Sequence, residues 1–203
     1  MLYTRNLAYA YPNGRTLRFP DMECAEGNVL LITGGSGVGK TTLLHLLAGL
    51  LKPSGGEVQV AGTAIQSLKP AAMDAFRGKH IGIIYQQSHF IAALSVKENL
   101  LLAKKDNTRL LEISEKLGIQ PLLHKKPAQL SQGEQQRASI TRALIQSPQL
   151  LLADEPTASL DDDNCIAVAK LLAAQAAEQK AALLIVTHDN RLKQLFANHI
   201  TLS

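Results

Sequence analysis

Tryptophan is absent from this 203-residue sequence, aromatic residues make up only 4% of it, and cysteine occurs twice. Cys24 and Cys165 lie too far apart in the sequence to form a local metal or redox pair. Two cysteines also exclude the disulfide-rich scaffolds of small secreted proteins. We therefore expect two reduced thiols that pack in the interior.

Long hydrophobic runs are missing as well. The longest apolar runs, at residues 29–32, 150–153 and 181–186, fall far short of the roughly 18 residues that a membrane helix needs. Residues 1–10 do not have the layout of a signal peptide. These absences predict a soluble, cytosolic chain.

The residues that are present have the composition of one globular domain that spans 1–203. Hydrophobic residues make up 46% and charged residues 19%, which supports a well-filled core and excludes disordered and collagen-like chains. The formal net charge is +4 and the isoelectric point is about 9.1. This mild positive excess suits a polyphosphate ligand or a nucleic acid without requiring either.

Short apolar runs that alternate with helical patterns predict an α/β fold. Four of the runs lack the polar alternation of a half-exposed strand, as expected for a mostly parallel sheet that is covered on both faces. The predicted strands are 29–33, 81–85, 150–153 and 183–187, and the predicted helices are 40–51, 132–146 and 162–179.

Two parts of the chain depart from this pattern. Residues 1–28 and 56–65 alternate Tyr, Thr, Val and Arg between turn signals, which indicates short antiparallel strands. The stretch from 86 to 149 is mostly helical. We therefore expect a nucleotide-binding core at 1–85 and 150–203 with a small antiparallel β part, and an inserted helical subdomain at 86–149.

Residues 34–41 match the pattern G-x-x-x-x-G-K-[ST] between a predicted strand and a predicted helix. The glycines let the backbone approach phosphate oxygens, and the start of the helix adds a partial positive charge. Lys40 is expected to bridge the terminal phosphates, and the Thr41 hydroxyl to bind Mg²⁺. The predicted phosphate contacts are Gly34, Gly35, Ser36, Gly37, Val38, Gly39, Lys40, Thr41 and Thr42.

Two acids follow the apolar run 150–153, so both emerge from the end of a buried strand. Asp154 is the candidate ligand for Mg²⁺. Glu155 is the candidate general base that polarises water against the γ-phosphate, a role typically worth about 10²–10⁴ in rate. A strand that simply ends in two solvated acids is the alternative.

Gln86 and His188 each follow a predicted strand as well. Ligands bind at the carboxyl edge of open parallel sheets, so we expect these two residues to join Gly34 and Asp154 there. A solvated amide and a capping or surface histidine are the alternatives. His45 lies within an apolar helix pattern and is assigned no role.

Residues 130–137 read Leu-Ser-Gln-Gly-Glu-Gln-Gln-Arg. Ser131 and Glu134 form an S-x-x-E capping box for the helix that follows, and a helix N-terminus is itself an anion site. The segment also resembles the signature sequence of ATP-binding cassette (ABC) proteins. Its Ser131 lies 91 residues after Lys40, a spacing like that of family members in which a helical subdomain separates the two motifs. The family usually has glycine at the position of Gln132, where a side chain crowds the approach to nucleotide.

The resemblance covers essentially the whole chain, and it implies a P-loop NTPase (RecA-like) fold. Tyr11 resembles the aromatic residue that stacks on adenine, with Tyr9 as an alternative. Gln86 resembles the glutamine loop, His188 the histidine that contacts the γ-phosphate, and residues 159–161 the loop after the acidic pair. The implied catalytic residues are Glu155, His188, Lys40 and Gln86, the implied metal ligands Thr41, Gln86 and Asp154, and the implied nucleotide contacts of the signature Ser131, Gly133 and Glu134.

The resemblance further implies an ATP hydrolase that uses ATP and Mg²⁺ and works as a head-to-tail dimer. Each ATP would lie between the phosphate loop of one copy and the signature helix of the other, and closure of the dimer would drive separately encoded membrane-spanning subunits. The contact region would be 89–100, in which His89, Phe90 and Ile91 are candidate exposed contacts; packing within the subdomain is the alternative. The chain would then be cytoplasmic and peripheral at the inner face of the membrane.

The same region is similar to the lipoprotein-release and macrolide-export branch of the family. A soluble ABC ATPase that acts on DNA or ribosomes is a second hypothesis. The single cassette and the 91-residue spacing disfavour it, so no nucleic acid is expected. A third hypothesis is coupling to a membrane complex in cell division or signalling. The sequence barely distinguishes it from the transporter hypothesis above.

Overall fold

The computed structural model describes residues 1–103, 106–158 and 160–203. Within these residues the chain forms strands and helices in the order expected for an α/β fold. The strands are β1 (Leu2–Ala10), β2 (Thr16–Arg18), β3 (Met22–Cys24), β4 (Val29–Gly34), β5 (Gly55–Val60), β6 (Thr63–Ala64), β7 (Ile81–Ile84), β8 (Leu150–Asp154), β9 (Ala182–Thr187) and β10 (His199–Leu202). The α-helices are α1 (Lys40–Leu47), α2 (Pro70–His80), α3 (Val96–Leu101), α4 (Asn107–Lys116), α5 (Gln132–Leu144) and α6 (Asp162–Glu178).

The central sheet is parallel and has the strand order β10-β4-β9-β8-β7. The apolar runs predict four of these strands: the three inner strands β4, β8 and β9, and the edge strand β7. The fifth, β10, pairs with β4 and was not predicted, because it is a short edge strand with one buried residue, Leu202.

Both faces of the parallel sheet are buried. Leu31, Leu151 and Leu183 point into a core shared with α3 to α6, which we call the helical-side core. Their neighbours Leu30 and Leu150 point into a core shared with α1 and the antiparallel sheet, which we call the β-side core. Each of these leucines is at most 1% exposed. Burial on both faces explains why the strands read as continuous apolar runs, and each such side chain contributes roughly 1.5–3 kcal/mol.

A small antiparallel sheet packs over the β-side core. Its order is β2-β1-β5-β6, with β3 also paired to β1, as predicted for the N-terminal part. The register of β1 on β5 shifts at a bulge between Arg5 and Ala8, where Asn6 has a φ of 48°. Gly56 opposes this bulge, and a Cβ there would come within 2.3 Å of the Asn6 carbonyl oxygen. Only glycine fits that crossing.

Helices α3, α4 and α5 account for the predicted helical stretch, and each begins at a side-chain cap: Ser95, Asp106 and Ser131. Helix α2 was not predicted, because only Met73 of its residues is buried and the apolar pattern is weak. Helix α1 ends at Leu47, earlier than predicted, since Gly49 turns the chain with a φ of 62°. The division into a core and an inserted subdomain at 86–149 stays a proposal.

Both cysteines are buried and neither forms a disulfide, as expected. No helix within residues 1–103, 106–158 and 160–203 is both long enough and apolar enough to cross a bilayer.

Candidate active site

The carboxyl edge of the parallel sheet gathers the polar residues that the sequence singled out. Along the order β4-β9-β8-β7, these strands end at or just before Gly34, His188, Asp154 and Gln86. All four lie on one edge because the strands are parallel. Glu155 follows Asp154 directly, so the edge carries two carboxylates between the histidine and the glutamine.

The phosphate loop, residues 34–41, connects β4 to α1. Gly37 and Gly39 have φ values of 81° and 104°, a region that glycine enters at little cost. A Cβ at Gly39 would also lie 2.5 Å from a Leu17 methyl carbon. Lys40 begins α1, and its ammonium donates to the carbonyl oxygens of Gly34 and Gly35, both at 2.9 Å. The loop thus folds around a cation that is 9% exposed.

Thr41 and Asp154 bring a hydroxyl and a carboxylate together in front of the loop. Thr41 Oγ1 donates to Asp154 Oδ2 at 3.3 Å. Burial raises the pKa of Asp154; the hydrogen bond from Thr41 opposes this shift, and the neighbouring Glu155 carboxylate adds to it. The pair offers oxygen ligands to a cation.

Glu155 is held by its backbone and by several contacts to its carboxylate. Its backbone has a φ of 47°, and its N–H donates to the Val186 carbonyl at 2.9 Å. Its carboxylate accepts from the Thr187 hydroxyl at 2.8 Å and from the His188 backbone N–H at 3.1 Å. His188 Nδ1 lies 2.8 Å from Oε1, and Lys40 Nζ lies 3.9 Å from the same oxygen. The side chain of His188 is 63% exposed, whereas that of Glu155 is 10% exposed.

The antiparallel sheet brings Tyr11 to the phosphate loop. The Tyr11 hydroxyl hydrogen-bonds to the Thr42 hydroxyl in the first turn of α1. Tyr9 meets the Tyr11 ring edge-on at 4.9 Å and packs against the β-side core. Arg15, which the sequence reading missed, donates from Nη2 to the Gly37 carbonyl at 3.0 Å. No local pattern in the sequence specifies this contact.

The signature residues form a closed cap at the start of α5. The Ser131 hydroxyl accepts from the Glu134 N–H at 3.3 Å, and the Glu134 carboxylate accepts from the Ser131 N–H at 2.7 Å. This second hydrogen bond is the main reason that the pKa of Glu134 is lowered. Gln132 is exposed, and a Cβ at Gly133 would meet only the Arg137 guanidinium at 3.7 Å. Across the described part of the chain, no hydrogen bond or ion pair joins this cap to the phosphate loop.

The segment after Gln86 is fastened to α5. Arg142 donates to the carbonyl oxygens of Ser88 and His89, at 2.6 and 3.3 Å, and its guanidinium lies 4.8 Å from the centre of the Phe90 ring. Phe90 is only partly exposed and packs against the helical-side core, whereas Ile91 is 50% exposed. Of the two apolar candidates for a partner contact, Ile91 is therefore the accessible one. Gln86 itself is exposed.

Part of the predicted loop 159–161 lies outside the described residues, since residue 159 is not among them. Asp161 is described and caps α6 by accepting from the Asn164 N–H at 2.9 Å. The Asp161 carboxylate thus stabilises the start of α6.

Comparison with known proteins identifies the class that this fold and edge define. The family model described as ABC transporter matches residues 17–158, which is more than half of the chain. The chain belongs to this family, is an ABC-type ATPase that binds and hydrolyses ATP, and has the P-loop NTPase fold that the resemblance implies.

Curated relatives narrow the similarity to one branch. The lipoprotein-releasing system ATP-binding protein LolD of Chromohalobacter salexigens is 40% identical over 177 residues, which cover 83% of this chain and 75% of the relative. LolD of Psychrobacter arcticus is 41% identical over 184 residues, covering 86% and 81%. These matches confirm the resemblance to the lipoprotein-release branch.

Solved structures agree with the fold. The dimeric structure of MJ0796, a bacterial ABC transporter cassette, matches with a TM-score of 0.87 and 29% identity, covering 100% of this chain and 94% of the other. CbiO1 of Clostridium perfringens, part of the ABC transporter complex cbiONQ, matches with a TM-score of 0.90 and 28% identity, covering 100% and 84%.

Proposed function

We propose that two copies of this chain bind two ATP molecules head to tail and that the cycle of closure and hydrolysis powers a membrane complex of the lipoprotein-releasing type. The observation that carries the proposal is the convergence of Lys40, Thr41, Asp154, Glu155 and His188 on one edge of the parallel sheet. The lipoprotein-releasing relatives and the dimeric cassette support the choice of partner and the pairing of copies.

The phosphate loop is proposed to hold the triphosphate. Lys40 now donates to two neutral carbonyls, and a phosphate oxygen would be a stronger, charge-assisted partner. The backbone N–H groups of Gly35, Ser36 and Gly37 line an exposed turn, and α1 adds the positive end of its dipole. Tyr11 is proposed to stack on adenine, because its ring lies next to Thr42 at the start of that helix.

Thr41 and Asp154 fit Mg²⁺. Hydroxyl and carboxylate oxygens are the ligands that this ion takes together with substrate phosphates, and the two oxygens lie 3.3 Å apart. A cation there would favour the ionised form of Asp154 against its burial. The ion would neutralise charge on the terminal phosphates when bound. Gln86, at the end of the neighbouring strand, is proposed as the third protein ligand.

Glu155 is proposed to take the proton of the attacking water. Three donors orient its carboxylate, and they come from Thr187 and from the backbone and ring of His188. These contacts fix the direction of the base, and a positioned general base contributes about 10²–10⁴ in rate. The exposed ring of His188 is proposed to contact the γ-phosphate.

The second half of the site is proposed to come from the other copy. Ser131 and Gly133 lie at the positive end of α5, where N–H groups and the hydroxyl can meet a phosphate. Glu134 already accepts from Ser131, so its proposed contribution is to hold the cap rather than to contact phosphate through its carboxylate. A structural neighbour was solved as a dimer bound to ADP and Pi, which supports the same arrangement here.

The membrane partner is proposed to contact the region 89–100. Ile91 offers an exposed apolar side chain there, and Arg142 ties the segment to α5, which begins at the signature. Movement of α5 on dimer closure would therefore reach the partner directly. The chain is accordingly proposed to work as a peripheral subunit at the cytoplasmic face of the membrane.

The variant Glu155→Gln tests the proposal. It keeps the nucleotide contacts and removes the base, so we expect ATP binding to be retained, turnover to fall by about 10²–10⁴, and a dimer to accumulate with ATP. Sedimentation velocity with and without Mg-ATP measures the dimer, and phosphate release measures turnover. A variant that stays monomeric at saturating ATP would contradict the shared site.

A further inference from the structure

Asp189 follows His188 directly and carries a carboxylate that is almost wholly buried, at 10% side-chain exposure. Arg191 donates hydrogen bonds to this carboxylate from its backbone and its side chain. Asp189 Oδ1 accepts from Arg191 Nε at 2.9 Å and from the Arg191 backbone N–H at 3.0 Å, and Oδ2 accepts from Nη2 at 2.6 Å. The pair fixes the turn that comes immediately after the histidine.

Arg191 also reaches the segment that leaves Glu155. Its Nη1 and Nη2 both donate to the Leu160 carbonyl at 3.3 Å, and Nη1 donates to Asp162 Oδ1 at 2.5 Å. One guanidinium therefore bridges two segments of the chain, because Leu160 and Asp162 lie 31 and 29 residues before Arg191 in the sequence. The fork of donors that makes this possible is particular to arginine.

The same carboxylate receives two further donors from that segment and from α6. The Thr157 hydroxyl and the Cys165 thiol both lie 3.4 Å from Asp189 Oδ2. The Arg191 side chain is the main reason that the pKa of Asp189 falls to about 2. The pair is therefore ionised throughout the pH range of a turnover assay.

A short hydrogen-bonded path connects this cluster to the candidate base. The Asp189 N–H donates to the Thr187 hydroxyl at 3.0 Å, and that hydroxyl donates to Glu155 Oε2 at 2.8 Å. Asp189 is thus adjacent to His188 in the sequence and is connected to Glu155 through the Thr187 hydroxyl. Among the described residues, no hydrogen bond or ion pair joins Asp189 or Arg191 to the phosphate loop.

We propose that Asp189 and Arg191 are positioning residues that lock the loop carrying His188 to the segment leaving Glu155, so that base and histidine keep one relative geometry. The proposal rests on the proposed function, which assigns Glu155 and His188 to ATP hydrolysis. Neither Asp189 nor Arg191 touches substrate in this role. Their loss should therefore lower kcat and leave the binding of ATP nearly intact.

The test compares Arg191→Gln and Arg191→Lys with the unaltered chain in steady-state phosphate release. We expect Gln to lower kcat by about 10- to 100-fold, as a misplacement of about 1 Å can, with KM changed less than twofold. Lys keeps one charged donor and should restore part of the rate. Asp189→Asn combined with Arg191→Gln should be no slower than the slower single variant, because both act through one pair.

Arg77 provides a matched control. It also bonds one carboxylate, Asp74, and two backbone carbonyls, those of Ala48 and Gly49, but it lies on α2 away from the edge. Arg77→Gln should lower the melting temperature without lowering kcat. If Arg191→Gln changes only the melting temperature, as this control does, the positioning role is refuted. If Glu155→Gln still hydrolyses ATP, the proposed function fails instead, so the two failures are distinguishable.

Discussion

Thr187→Val tests how the direction of Glu155 affects hydrolysis. The change keeps the shape of a side chain that is 0% exposed and removes the hydroxyl that donates to Glu155 Oε2 at 2.8 Å. A hydrogen bond to a charged group is worth about 1.5–3 kcal/mol. If that free energy holds the base in its reactive direction, kcat falls by roughly 10- to 150-fold, since each 1.36 kcal/mol is tenfold in rate. KM for ATP should stay nearly unchanged.

Thr33→Val is the control for this experiment. Thr33 is the register partner of Thr187 on the adjacent strand, is 2% exposed, and shares its hydroxyl with Thr201 at 3.0 Å. Both variants replace a buried, hydrogen-bonded threonine in the same sheet, so their losses of stability should be similar. Phosphate release and urea unfolding are measured on both. The role of the Thr187 hydroxyl is refuted if the two variants turn over ATP at the same rate.

Two further predictions concern the nucleotide and the metal. Tyr11→Ala should weaken ATP binding by about 5- to 150-fold, because base stacking is worth roughly 1–3 kcal/mol, whereas Tyr9→Ala should mainly lower stability; calorimetric titration with ATP decides between the two tyrosines. Asp154→Asn should raise thermal stability at pH 7, because burial raises the pKa of Asp154 and the charged form is penalised above it. That gain should shrink as the pH falls through the raised pKa, and a constant gain across pH would contradict it.

Much of the fold follows from patterns that are local in the sequence. The strands β4, β7, β8 and β9 are recognisable because burial on both faces removes polar residues from them. Helix α5 is recognisable because Ser131 and Glu134 form its cap. In contrast, β10 and α2 bury one side chain each, and so little burial leaves no periodic signal.

The candidate site divides in the same way. Gly34, Gln86, Asp154 and His188 could be placed on one edge because each follows a buried strand, and parallel strands share an edge. The contacts of Arg15, Arg142 and Arg191 could not be placed, since a long side chain on a loop or helix reaches carbonyls far away in sequence. Such contacts depend on how loops lie against one another, which periodicity does not encode.

The distribution of charge explains why one copy holds only half of the proposed site. The sheet edge brings two carboxylates, Asp154 and Glu155, close to the position proposed for a triphosphate, against the single buried ammonium of Lys40. More positive potential is needed to hold that ligand, and the start of α5 has it in the N–H groups near Gly133. That helix start makes no hydrogen bond or ion pair with the phosphate loop in the described part of the same chain, and we propose that the helix start of a second copy completes the site.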